Sequence, residues 1–598
     1  MYCYQQRRFV YLLFLLFLSI GTGCTKIKSS PAIPKDNLLT LTNSNIRLFN
    51  ISQRDQSVVV NNIVLAMQRT NPTEELNISA IGKQLFPGGI WKNSTSFSIP
   101  TVLLDKSGGA YLSLPTTGTE ITFKDTLIKN DPVNPMDFYL LPTGKITSFP
   151  RNNTPPVNPQ NFKIRIVNLG DPNSEFNAGG PVSLTFADGT AVDPQLNGIA
   201  NGASSGYAEV PYGAYQFKLF AGAGGAADFK RQLVTDNILP AFNYCIPGTL
   251  PQEGFMPPVV TFKPGGVYTV MVINSVFTYD YICGGTPSRE SKKGNAYQII
   301  TDLDPGVNLT YARMNAINTI PGKKITIKVD GVPLGEGPLD YIGNIFRDKA
   351  IPAIYHTVIQ GSHTIQAVDE AGNTLAATTL QLYPFDNYTI WAHAGNDGKV
   401  QLVFTANDMT NTIYKTGIEV TGALGPDDGT DGDRRRRRFT YAWQSRFMNF
   451  CNEQPSITFT NNGQLFLPEY IYPDTLRFPS AYRNLAPGVV PPKNGSIIYD
   501  LQNIMAYNAD GTPNHDLSVD YRNFPAKIWV NNTAGGQSPG VLLTGITPVT
   551  CINTFTANDR MYSGPDRKPA AENGIYTMAL VGGQAGAPAR IIVIKHNK

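Results

Sequence analysis

The chain is short of helical signature. Beyond residue 23, no long window of its 598 residues sets apolar side chains at i, i+3, i+4 and i+7, the stripe by which a surface helix buries one face. A helical body is therefore not expected. Charge is scarce as well, at 16% Asp, Glu, Lys and Arg with a net of +4. So weak a field on so long a chain leaves no footprint for nucleic acid. Histidine is rare: His356, His363, His393, His515 and His596 are scattered, with no H-x-H spacing. No cysteine has a C-x-x-C neighbour, so neither residue type offers a metal-ligand set. No cofactor is expected.

What is abundant is turn and strand material, with 55 Gly, 45 Pro and 41% hydrophobic residues. At roughly 100–200 residues per domain the length predicts about three to five domains. Residues 163–220 give the unit from which the chain is built. Lys163-Ile164-Arg165-Ile166-Val167-Asn168 alternates with the period of a half-buried strand. Pro181-Val182-Ser183-Leu184-Thr185-Phe186 follows and enters an Asp188-Gly189 turn. Tyr207 to Val210 and Ala214 to Phe220 flank Pro211-Tyr212-Gly213 as a hairpin. A late strand begins Gly266-Val267-Tyr268-Thr269-Val270.

The same order recurs. Asn45-Ile46-Arg47-Leu48-Phe49-Asn50, Tyr311-Ala312-Arg313-Met314-Asn315 and Ser445-Arg446-Phe447-Met448-Asn449 repeat the opening strand. Asp330-Gly331 and Asn462-Gly463 repeat the turn, and Tyr388-Thr389 and Tyr576-Thr577 the late strand. The expected organisation is a leader at 1–23, a tether at 24–37, modules at 38–150, 160–290 and 297–410, a charged linker at 411–438 and a module at 439–598. A proline-rich linker joins the first two modules. Units of about seven short strands with frequent turns read as antiparallel β-sandwiches of immunoglobulin-like type, so the expected fold class is all-β.

The leader carries the clearest address. Arg7-Arg8 precede an apolar run from Phe9 to Ile20, too short to span a bilayer as a stable helix. Gly21-Thr22-Gly23 then precede Cys24, which resembles a bacterial lipobox with Gly21 at the usual leucine position. The resemblance implies lipidation of Cys24, and two or three acyl chains hold a protein at a membrane without a spanning helix. Cleavage discards Cys3 and leaves Cys245, Cys283, Cys451 and Cys551 beside Cys24. An even set in an exported chain reads as two disulfides with three connectivities open. Cys245–Cys283 and Cys451–Cys551 are favoured, since each pair falls inside one module.

The R-x-x-N strand, the Asp-Gly turn, the Gly-x-Tyr hairpin and the Tyr-Thr strand together resemble domain of unknown function 4397. That family is common in Bacteroidota lipoproteins, and the match is best at 163–275. The resemblance implies architecture and an outer-membrane address and carries over no catalytic residue. The acidic run after the lipidated cysteine that resembles a surface-export signal is lacking, so surface and periplasmic faces both stay open. Asp125-Thr126-Leu127 and Asp474-Thr475-Leu476 resemble the O-glycosylation sequon of the same phylum.

The candidate chemistry is thin. Arg165, Arg313 and Arg446, with Asn168, Asn315 and Asn449, suit a carboxylate-binding fork. Their repetition favours instead outward-facing strand residues that make structural ion pairs or cover apolar surface. Gly202-Ala203-Ser204-Ser205-Gly206 matches the hydrolase nucleophile pattern, but a strand rather than a helix follows it. Asp427-Asp428-Gly429-Thr430-Asp431-Gly432-Asp433 suits calcium less well than a solvated linker. Arg434, Arg435, Arg436, Arg437 and Arg438 offer a polybasic contact for lipid headgroups or glycans. Trp91, Trp391, Trp443 and Trp529 read as core before carbohydrate platforms. The expected function is a non-enzymatic, lipid-anchored envelope protein with a structural, adhesive or ligand-binding role. Its expected partners are the membrane through the anchor and a glycan or envelope protein. A glycan-binding lipoprotein of a polysaccharide-uptake system and an envelope hydrolase are the alternatives.

Overall fold

In a computed structural model the chain is described over residues 40–69, 71, 77–115, 125–174, 179–221, 234–235, 259–283, 286–407, 409, 412–414, 436–438, 443–461, 482–490, 497–499, 527–536, 538–550, 554–555, 574–584 and 586–598. It divides into two compact units, 1–151 and 152–598. The first holds one copy of a two-sheet module and the second holds three. The described residues are all-β apart from short helical pieces, among them Ala80–Leu85, where the Ser79 hydroxyl accepts from the Gly82 amide at 3.1 Å.

The alternating strand that opens each module lies inside a sheet. These opening strands are Asn43–Asn50, Asn161–Leu169, Tyr311–Asn318 and Trp443–Asn449. Each runs parallel to a late companion strand: Met136–Leu140, Val267–Cys283, Asn387–Ala394 or Gly574–Val581. Each companion pairs antiparallel with a closing strand: Ile146–Pro150, Thr286–Leu303, Val400–Ala406 or Arg590–Lys595. These sheets are therefore mixed, where the sequence pattern suggested purely antiparallel ones. A parallel pair needs a long crossover, and the segment between opening and companion strands supplies it.

That segment builds a second sheet over the first. In module one it comprises Val58–Val60, Ile63–Ala66, Gly109–Ser113 and Thr126–Lys129. Apolar positions two apart in the opening strand then meet it across a shared core. Ile46 and Leu48 join Val58, Val60 and Leu112; Ile164 and Ile166 join Val182, Leu184 and Leu219; Met314 joins Ile327 and Ile365. Gly189 and Gly331 hold φ of 82° and 81° in the Asp-Gly turns, a region that suits glycine.

Three features depart from the expected layout. The run 214–220 is two strands, because Gly213–Tyr215 pairs with Val260–Phe262 while Lys218–Ala221 pairs with Val182–Thr185. Thr286–Leu303 runs across the expected boundary at 290–297. Ile351–Pro352, expected inside module three, adds a parallel strand beside Arg590–Lys595 of module four. Modules three and four also share one core, in which Ile317 and Trp391 cluster with Phe447, Phe459, Val530 and Met578. The sequence shows no sign of this exchange, because two residues carry no periodicity.

One asparagine closes the opening strand of every module. The Asn50 amide donates to the Arg54 and Trp91 carbonyls at 2.8 and 3.2 Å. Asn168 donates to Gly180 and Ile199 at 3.0 and 2.9 Å, and Asn449 to Gln454 and Leu485 at 2.7 and 3.0 Å. In module three the latch is Asn318, which donates to Lys323 and Leu339 at 2.6 and 3.0 Å, and not the Asn315 aligned from the sequence. In all four, the side-chain oxygen accepts the amide of the residue two further on: Ser52, Gly170, Ile320 or Cys451. The side chain thus substitutes for a backbone partner where the ladder ends. Asn168→Ala leaves two carbonyls and one amide to find new partners, so a loss of about 3 kcal/mol is expected in urea unfolding. A loss below about 0.5 kcal/mol would show that the latch does not hold module two together.

Candidate functional site

Arg47, Arg165, Arg313 and Arg446 are all buried, with Arg165 only 1% exposed. The expectation was of outward-facing strand residues making structural ion pairs or covering apolar surface; Arg47 makes such an ion pair, but all four side chains are buried. The core covers one face of each opening strand, and a second layer covers the other. A guanidinium placed there must be fully paired, since removing it from water costs several kcal/mol.

The pairing follows one register. Arg47, Arg165, Asn315 and Arg446 face Asp137, Thr269, Thr389 and Thr577 on their companion strands. Two residues past the facing position on the closing strand comes Arg151, Asp302, Asn407 or His596. In module one, Arg47 grips Asp137 through Nε and Nη2 at 2.8 Å each, and Arg151 Nη1 adds a third bond at 2.7 Å. Such a fork matches carboxylate geometry. In module two, Arg165 Nε donates to Thr269 Oγ1 at 2.9 Å, Thr269 donates to Asp302, and Tyr207 donates to the same carboxylate at 3.1 Å. Burial and the Asp302 charge push the Tyr207 hydroxyl up to about 12.

In modules three and four the two clusters merge. Asn315 stands where the other modules carry arginine, and its Nδ2 has no partner among the described residues. Arg446 of module four reaches across instead, its Nη1 donating to Asn407 Oδ1 at 2.7 Å and its Nη2 to the Ala406 carbonyl. Asn407 Nδ2 then donates to Tyr355 OH at 2.8 Å and Thr389 Oγ1 at 3.0 Å. Tyr355 OH meets His596 Nδ1 at 3.0 Å, and His596 Nε2 meets Thr577 Oγ1 at 2.7 Å. A neutral His596 carries one ring proton and one ring acceptor, so it joins Tyr355 and Thr577 as donor to one and acceptor from the other. Burial, with Arg446 adding its charge, pushes His596 down to about 3. Burial likewise lowers Arg446 to about 10 and raises Tyr355 to about 12.

Module two closes this seam. The Arg313 guanidinium carbon lies 5.2 Å from the Tyr212 ring centre and 5.1 Å from that of Tyr355, within cation–π range. Gly213 permits the approach, since a Cβ there would lie 2.4 Å from Arg313 Nη1. Ala214, Val259, Met409 and Ile575 form an apolar plug where the three modules meet. The Gln216 amide donates to the Lys598 carbonyl at 2.7 Å, and Lys595 Nζ donates to Gln216 Oε1 at 2.9 Å. A neutral histidine with both ring nitrogens engaged offers no free base here.

The other anticipated residues are dispersed. Ser204 lies in the short strand Ala203–Ser204, and Ser205 Oγ accepts from the Ile166 amide and donates to the Gly206 carbonyl, which is a strand contact and not a nucleophile turn. His363 is paired with Asp330 at 2.7 Å, His356 is half-buried, and His393 is buried against Phe450. No group of three His, Cys, Asp or Glu among the described residues is placed to hold a metal. Trp91 and Trp391 are core residues, and Trp529 is half-buried. Cys451 is a buried free thiol, so the favoured Cys451–Cys551 bridge is not formed. Cys24, Cys245, Cys551, His515, the 427–433 acidic run, Arg434 and Arg435 lie outside the described residues, while Cys283 ends its strand. Arg436–Arg438 pairs antiparallel with Thr412–Tyr414, so part of the expected linker is a strand. The sequence could not reveal Arg151, Asp302, Asn407 and His596 as one set, because only the strand register aligns them.

No protein-family model and no curated protein matches the chain. Among solved structures, the Bacillus anthracis TIE protein aligns over 59% of this chain and 50% of its own, at 10% identity and a TM-score of 0.10. So low a score carries no argument about fold or function.

Acid tests the seam. An unfolded histidine titrates near 6.5, whereas burial holds His596 near 3 and His393 near 4 in the fold. Unfolding between these values takes up protons, so stability is full above about pH 6.5 and falls as pH drops, by about 1.4 kcal/mol per unit per group. Urea unfolding followed from pH 7 to 5 is expected to show an uptake that His596→Gln lowers by about one proton. An unchanged slope in that variant would contradict the buried neutral histidine.

Proposed function

We propose that the chain is a lipid-anchored protein of the cell envelope, non-enzymatic, with a structural, adhesive or ligand-binding role. Kinship with the domain of unknown function 4397 lipoproteins and an immunoglobulin-like sandwich form for each module belong to the same proposal. The observation that carries it is the use made of the repeated polar side chains. The recurrent arginines are buried and bonded to side chains of neighbouring strands. The asparagines Asn50, Asn168, Asn318 and Asn449 latch backbone carbonyls. Both uses suit a load-resisting scaffold better than an exposed reactive site. Cys24 provides the anchor, and the partners are the membrane and a glycan or envelope protein met by the outer loops.

No helix among the described residues is long and apolar enough to cross a membrane, so attachment in this reading depends on acyl chains at Cys24. Labelling of cells with a fatty-acid analogue is expected to mark the protein and to fail for Cys24→Ala, which should leave the membrane fraction. Membrane association that survives the substitution would remove the anchor from the proposal. Protease treatment of intact cells then separates the two faces: loss of the protein places it outside, and survival until lysis places it in the periplasm.

A further inference from the structure

Beside the seam lies a cavity of about 130 Å³. Its walls come from all three modules of the second unit: Phe186 from the Asp-Gly turn of module two, Pro352 from the exchanged strand, and Phe555 and Tyr576 from module four. Phe555 and Tyr576 meet edge-to-face, with ring centres 4.6 Å apart, and so form a stiff apolar floor. Two cations also line it. Lys595 is 8% exposed and held through Nζ on Gln216 Oε1 at 2.9 Å. Lys598 is exposed, with Nζ 4.0 Å from the Phe186 ring centre. The carboxylate at the rim, Asp188, has Oδ1 turned into its own loop, where it accepts from the amide and hydroxyl of Thr190 at 3.0 and 2.7 Å.

We infer that this cavity binds a small aromatic carboxylate, with its ring against Phe555 and Tyr576 and its acid group toward Lys595 and Lys598. At about 130 Å³ the cavity is slightly smaller than the roughly 150 Å³ that accepts benzene, so the ring fills it and the carboxylate stands at the rim beside the exposed Lys598. The composition also fits, because ligand sites at domain interfaces pair apolar walls with a few convergent polar groups. A carboxylate would pair with a lysine already withdrawn from water, where a charged hydrogen bond is stronger than at the surface. An amine would meet the two lysines, with the Asp188 carboxylate at the rim as counter-charge, and a neutral ring would gain only the apolar contact. This goes beyond the envelope role, which neither requires nor supplies a small ligand.

The test is titration calorimetry of the intact protein with benzoate, benzyl alcohol and benzylamine. Benzoate is expected to bind about tenfold more tightly than benzyl alcohol, and benzylamine not to bind. Lys595→Met, which keeps the aliphatic stem, should erase the preference for acid. Lys598→Ala, at an exposed position, should weaken benzoate several-fold without touching the core, and urea unfolding of each variant shows whether it is folded. Acetyl-glycyl-phenylalanine, with the same ring and carboxylate at a chain end, should bind less well than benzoate. Equal affinity for benzoate and benzyl alcohol, benzoate binding unchanged by both lysine variants, tighter binding of the peptide, or no saturable binding at roughly millimolar benzoate would each overturn the inference.

Discussion

The structure depends on a guanidinium buried in the middle of a β-strand. The opening strand of each module is covered on both faces, so a polar residue there has no route to water. An aliphatic side chain would satisfy that position with less penalty. Arginine at Arg47 and Arg165 demands partners at fixed points on the companion strand, and these are Asp137 and Thr269, while Arg446 finds its acceptors on module three at Asn407 and Ala406. The demand constrains register. Sliding the companion by one residue would carry its polar member into the core and leave the arginine unpaired. Buried polar groups of this kind gain specificity of pairing more than raw stability, because their attraction is largely offset by desolvation.

Variation at that single position accounts for how the second unit is assembled. Module one answers arginine with a carboxylate and a second arginine, and its cluster is complete within the module. Module three carries Asn315 instead, which is shorter and uncharged, and its amide finds no partner among the described residues. The acceptors left by the missing guanidinium, Asn407 Oδ1 and the Ala406 carbonyl, are taken by Arg446 of module four. A polar cluster incomplete in one module and completed by the next ties the two together more selectively than apolar packing could. The exchanged strand Ile351–Pro352 and the shared core around Trp391 act in the same direction. Three modules thus form one compact unit, where a string of independent domains would have separated.

Much of this was legible in the sequence, and the rest failed for definable reasons. Alternation located the four opening strands and their companions, because one face of each meets a core with period two. The closing strands Ile146–Pro150, Thr286–Leu303 and Val400–Ala406 went unrecognised. The latches Asn50, Asn168 and Asn449 were visible as a spacing from arginine. Asn318 was hidden, because the arginine of module three sits two residues early, at Arg313, and drew the alignment to Asn315. Burial of the arginines was misread, since alternation shows that a residue leaves the core face and not whether another layer waits there. Arg151, Asp302, Asn407 and His596 share no local motif. Their equivalence exists only in the pairing of strands distant in the sequence.

The merged cluster also fixes the orientation of its amide and keeps its histidine neutral. Arg446 can only donate, so it forces Asn407 to present its oxygen and therefore turns the Asn407 amide toward Tyr355 and Thr389. His596 then bridges the Tyr355 and Thr577 hydroxyls, giving its one ring proton to one and accepting from the other. Only Arg446 and Asn407 are fixed outright, because hydroxyls at Tyr355 and Thr577 can each donate or accept and so serve either neutral tautomer of His596. Salt reaches such a chain poorly, since screening acts on charges in contact with solvent. A proton acts on it directly, because it would remove the one acceptor of the His596 ring and add a positive charge beside Arg446 in a buried site. The joint is thus insensitive to ionic strength and responsive to acid, and both properties follow from having one charged donor at the head of a neutral, fully occupied chain.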